Sequence, residues 1–199
     1  MPKVVPEYKE HARKRILEAA YAEFTQRGYR KTTISDIAQR MGVSKGAVYQ
    51  YFENKEALIG AVGDSFVERA IMEEFSSSRK EGLIEITEGV LERTLNSMPS
   101  WFPTLICDFL SEAHRDKNAM KQVKQIDHKI VAAVSGFWED RKKAGEIPSD
   151  VNTERVARGL VALQLGLMAL VSTGLPRSQA IEIWTDMVRR LGRGLGRRK

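Results

Sequence analysis

Apolar residues recur along this chain at steps of three and four, and no stretch sustains an alternation of two. That pattern predicts helices and no strands. Ile16, Ala19, Ala20, Glu23 and Phe24 mark a first stripe, so Tyr8–Gln26 reads as an amphipathic helix closed by Gly28. Thr33 with Asp36 three residues on has the form of a capping box and opens a short helix, ISDIAQRM, which Gly42 stops. Ser44 caps a helix of barely two turns inside GVSKGAVYQYF, and Asn54 caps a longer one running to about Phe75. After the serine-rich SSSRKEG, helical spacing returns over roughly Leu83–Ser97, Trp101–His114 and Ala119–Ala144, punctuated by Pro99, Pro103, DKN and GEIPSD. Thr153–Thr173 and Ser178–Leu191, divided by Gly174 and Pro176, complete an all-α chain. The expected organisation is a three-helix head over 1–55, joined by a continuous helix to a helical body over 56–199.

Hydrophobic residues at 42% and charged residues at 29% describe an ordinary folded globule. Charge changes the picture more. The net +6 is unevenly placed: residues 1–55 hold 11 Lys/Arg against 6 Asp/Glu, and residues 56–188 hold 15 against 20. The segment RRLGRGLGRRK adds six further cations. A basic head on an acidic body points the head toward an anionic partner, nucleic acid being the commonest; a scatter of solvated lysines is the alternative. The lone Cys107 excludes a disulfide framework within one chain, and the start of the sequence has no signal-peptide pattern, so the cytoplasm is the expected compartment. The longest nearly apolar run, Leu160 to Val171, is too short to span a bilayer and reads as a buried core helix. No transmembrane segment is expected.

Two short helices joined at a glycine are what a helix-turn-helix requires. Ala38 is small where the helices cross, Gly42 takes the left-handed turn, and Val43 is expected to plug the core behind it. Val48 and Phe52 at i and i+4 pin the second helix down, leaving Ser44, Lys45, Gly46, Ala47, Tyr49, Gln50 and Tyr51 on the outward side. A helix that buries so little fits a DNA major groove and offers donors to bases and phosphates. Lys55 sits at the positive end of a helix dipole, where an acid is the favoured residue; a bound phosphate reverses that preference. Thr33, Ser44 and Lys55 thus mark three helix starts at which a DNA backbone can be gripped.

The stretch TTISDIAQRMGVSKGAVYQYFENKEAL, Thr32 to Leu58, resembles the DNA-binding motif of the TetR family of bacterial and archaeal transcriptional repressors. The threonine pair, D-I-A, G-V-S-x-G, Tyr49, Phe52 and N-K-x-x-L follow in the family's order, with Met41 departing from the small residue usual there. The resemblance implies about nine helices, a homodimer built through the last two, and a body whose small-molecule effector relaxes binding to a palindromic operator in double-stranded DNA. By position it also implies that Lys45, Gly46, Ala47 and Gln50 face bases, while Thr33, Ser44, Tyr49, Tyr51 and Lys55 hold phosphates. Beyond Leu58 the likeness is loose: EAHRDKNAM and GEIPSDVNTE are similar to one common type of TetR-family effector domain.

In the body, Gly159, Ala162, Gly166, Ala169 and Thr173 form a stripe of small residues that lets another helix come close, and Ile181, Trp184, Val188 and Leu191 share one face of the last helix. Together they make half of a four-helix dimer bundle, or else ordinary intrachain core. Trp101, Phe102, Leu105, Phe109, Phe137 and Trp138 line a cavity for a mostly apolar effector, or simply fill the core. Gln164, flanked by Leu160, Leu167 and Met168, orients that ligand or bonds a neighbouring backbone. Asp108 and Glu112 share a helix face with His114 following, an arrangement that reads as solvated acids rather than a metal or acid/base site. With no phosphate loop, nucleophile elbow or cysteine cluster, neither an enzyme nor a cofactor is expected. Two readings stay open: a ligand-responsive repressor, and a dimeric DNA-binding adaptor without a small-molecule effector.

Overall fold

The computed structural model describes residues 6–76, 82–98 and 102–196. Among these stand nine α-helices and no strand: α1 Pro6–Arg27, α2 Ile34–Met41, α3 Lys45–Tyr49, α4 Lys55–Ser76, α5 Leu83–Ser97, α6 Phe102–Ala113, α7 Lys117–Lys143, α8 Thr153–Ser172 and α9 Arg177–Gly196. Local chemistry sets most of the starts. The Thr33 and Asn152 side chains accept backbone N–H groups of α2 and α8, and the Asn54 side chain accepts the Ala57 N–H at 2.7 Å. Helix α9 runs through Gly192 and Gly194, beyond the Leu191 expected from sequence, as far as the last described residue. A Cβ on Gly192 would stand 2.8 Å from Ile84 of α5, so the bare glycine is what admits that side chain; the contact outweighs glycine's low helix propensity.

The chain packs as two compact units. The first holds the described residues up to Phe66 together with Leu105–Ile126. Its buried residues include Ile16, Ala20, Phe24, Tyr29, Ile37, Val48, Phe52, Leu58, Val62 and Phe109. Within it α7 lies against α4, with Ile126 3.1 Å from where a Cβ on Gly63 would stand.

The second unit holds Val67–Thr104 and the residues from Asp127 onward. Here α5 packs on α9, and the Trp184 indole N–H donates to the Thr87 carbonyl at 2.8 Å. Trp184 and Val188 are therefore intrachain core, the second of the two readings that spacing left open for this face: the indole finds its acceptor on α5. The uncovered apolar residues are others, Leu165 and Leu170 of α8 and Ile183 and Met187 of α9. A Cβ on Gly159 or Gly166 would meet open space. Of the described helices α8 alone has the length and hydropathy that a membrane crossing needs, being longer than its apolar run suggests; its Ala157, Leu160, Val161, Leu167 and Met168 are buried within the chain.

Candidate nucleic-acid interface

Two closures shape the helix-turn-helix. Gly42 takes φ +66, its N–H donating to the Gln39 carbonyl at 3.1 Å and that of Val43 to Ala38 at 3.0 Å. This pair of bonds is a Schellman turn, and it ends α2 where α3 must begin. Val43 does not plug the core as expected: the turn uses its backbone, and the side chain is 38% exposed. Ser44 then caps α3, its Oγ accepting the Ala47 N–H at 3.2 Å.

Only Val48 of α3 is buried, and Phe52 beyond it lies beneath the Arg13 guanidinium, 4.7 Å from ring centroid to Cζ. Ser44, Lys45, Gly46, Tyr49 and Gln50 are exposed, Tyr49 at 50%, while Ala47 and Tyr51 are half-buried. A convex turn-and-a-half of helix with cationic, phenolic and amide groups outward suits a groove lined by acceptors.

The flanking helix starts differ from one another. Thr33 is exposed, but its Oγ1 donates to Asp36 Oδ2 at 2.6 Å and its N–H donates to the same oxygen at 2.8 Å. The hydrogen bonds from Thr33, with Arg27 beside it, hold the Asp36 carboxyl below its ordinary range. Lys55 is half-buried: its Nζ donates to the Tyr29 carbonyl at 3.2 Å and stands 4.2 Å above the Tyr29 ring. The charge that looked misplaced at the start of α4 thus has intrachain partners.

Sequence reasoning missed the carboxylate that ties α1 to α2. Glu23, counted on the apolar stripe, is 4% exposed; it accepts from Arg40 Nε at 2.6 Å and pairs with Arg27 Nε at 3.1 Å. Arg27 continues to Asp36 at 2.9 Å, so the network reaches the cap of α2. An acid on a core stripe with arginine four residues on was the available signal.

The residues expected to line a ligand divide between the two units. Leu105 and Phe109, both buried, belong to the first; buried Phe102, Trp138 and Met168 and half-buried Gln164 belong to the second. Trp101 lies outside the described residues. The Gln164 amide donates to Thr94 Oγ1 at 3.1 Å, and the Phe109 ring meets Tyr29 edge-on at 5.4 Å. Cys107 is half-buried, and Glu112, read as solvated, pairs with Arg30 at 3.2 Å.

Fold and exposed face together define a helix-turn-helix DNA-binding protein of wholly helical build. Residues 16–62 match the model of the bacterial regulatory proteins of the tetR family, and the likeness to individual members extends far past that segment. Residues 16–62 are thus a DNA-binding segment of the TetR-family type, and the chain as a whole is similar to regulators of that kind. It is 25% identical over 174 residues to the HTH-type transcriptional repressor Rv1474c of Mycobacterium tuberculosis, covering 87% of this chain and 89% of that protein. To the HTH-type transcriptional regulator UidR of Escherichia coli it is 26% identical over 165 residues, 79% of this chain and 80% of that one. The solved structure of Salmonella enterica GusR superposes with a TM-score of 0.76 at 25% identity, covering 98% of each chain.

Proposed function

We propose that this protein is a cytoplasmic homodimeric repressor whose grip on a palindromic operator is loosened by a small, mostly apolar molecule. The observation that carries the reading is the exposed face of α3; on this reading Lys45, Gly46, Ala47 and Gln50 meet base edges while Ser44, Tyr49 and Tyr51 meet phosphates. The first unit, centred on 1–55, supplies this face, and residues 56–199 supply dimerisation and the effector response. Uncovered Leu165, Leu170, Ile183 and Met187 support pairing through α8 and α9, because apolar side chains clustered on two adjacent helices favour a second copy over water. Phe102, Trp138 and Met168 give the body an apolar interior suited to the effector.

The adaptor reading has its own support: the Gln164 amide and the Phe109 ring, both expected to meet a ligand, are occupied by Thr94 and Tyr29. A screen decides between the two. Compounds that raise the melting temperature of the protein are assayed for release of a fluorescent duplex recovered by the protein from a randomised pool. The repressor reading expects at least one compound to do both; stabilising compounds that leave the duplex bound favour the adaptor.

A further inference from the structure

The loop between α1 and α2 is held from two sides within the first unit. Tyr29 is fully buried, its hydroxyl donating to Glu56 Oε1 at 2.9 Å and its carbonyl accepting from Lys55, both at the start of α4. From the other side comes α6. Phe109 meets the Tyr29 ring edge-on, Glu112 Oε2 accepts from Arg30 Nε at 3.2 Å, and Asp108 Oδ2 lies 3.8 Å from where a Cβ on Gly28 would stand. Three successive loop residues, Gly28, Tyr29 and Arg30, thus face three α6 residues spaced at i, i+1 and i+4. The next residues are Lys31 and Thr32, whose buried hydroxyl donates to the Gly28 and Glu23 carbonyls, and then Thr33, the cap of α2.

We infer that Phe109 and Glu112 of α6 are positioning residues for DNA binding, holding the α1–α2 loop, and through it the start of α2, where the helix-turn-helix needs them. The inference rests on the DNA-binding reading above. It moves Phe109 from the effector's surroundings to the support of the recognition head. A rigid loop matters because displacing a docking element by about 1 Å is enough to spoil several directional contacts at once.

Charge gives the test a clear direction. Glu112→Arg replaces a negative charge by a positive one, raising the protomer's net charge by about two, which by attraction to phosphate alone strengthens DNA binding. The inference expects the opposite. Two cations at Arg30 and position 112 repel, the loop loses its strut, and affinity for a duplex recovered from a randomised pool by the wild-type protein falls about fivefold, the scale of a surface pair. Melting temperature is followed in parallel, so that unfolding is separated from mispositioning. Arg30→Glu weakens binding as well, and the charge-swapped double variant binds more tightly than Arg30→Glu alone. Phe109→Leu, which keeps apolar bulk but loses the ring edge, weakens binding without altering its salt dependence. Glu112→Arg binding as tightly as wild type or tighter, or a swapped pair no better than Arg30→Glu, overturns the inference while the DNA-binding reading stands. A wild-type protein that enriches no duplex overturns both.

Discussion

The Tyr29 phenol is shut away from solvent with its O–H donating to the Glu56 carboxylate, and burial, followed by that neighbouring charge, pushes its pKa far above the ordinary tyrosine value. In the unfolded chain the same phenol ionises near pH ~10. Above that pH the folded protein holds a proton that the unfolded chain has released, so stability falls as pH rises; below it the contribution is fully present. Tyr29→Phe is expected to cost about 1 kcal/mol at pH 7.5, the net worth of one hydrogen bond, and to flatten the loss between pH 7.5 and 10.5 in urea unfolding midpoints. An unaltered alkaline loss in the variant excludes Tyr29 as its source. At this scale the caps were legible in the sequence, because Thr33, Ser44 and Asn54 act on N–H groups three residues away. The roles of Tyr29 and Glu23 were not legible: they depend on Glu56, Phe109 and Arg40, which only folding brings near.

Helix α9 shows what periodicity does and does not reveal. Its stripe of Ile181, Trp184, Val188 and Leu191 was visible as a face, but a face does not say whether its cover is another helix of the same chain or of a second copy. The Thr87 carbonyl under the Trp184 indole decides for α5. Trp184→Ala is therefore expected to lower the unfolding free energy by about 3–5 kcal/mol, as a large buried side chain lost from a core does. Ala162→Arg, on the exposed small-residue side of α8, is expected to preserve helical content by circular dichroism and to sediment as a monomer. A folded dimer of Ala162→Arg places the pairing surface elsewhere. The overrun of α9 past Leu191 was hidden for a related reason: glycines signal an end only until a neighbour such as Ile84 uses the space they leave.

Across the whole molecule the separation of charge was plain from sequence, and it bears on binding more than on fold. With the head basic and residues 56–188 net acidic, affinity for DNA should fall steeply with salt, each phosphate contact contributing about 0.9 to the log–log slope. Lys45→Ala is expected to weaken binding by about 1–3 kcal/mol and to relax preference at one or two base pairs if it meets a base; a change confined to the salt slope assigns it to phosphate instead. Anisotropy titrations over a salt series with matched and mismatched duplexes read both. Such exchanges are tolerable because of how little α3 buries. Val48 alone anchors it, while exposed surface changes usually move stability by no more than about 0.5 kcal/mol. Lys45, Tyr49 and Gln50 are therefore free to vary without endangering the protein that carries them. Descendants of this chain can acquire new target sites by a handful of steps that leave folding intact, and a combinatorial library at those codons should yield mostly folded proteins with altered addresses in the genome.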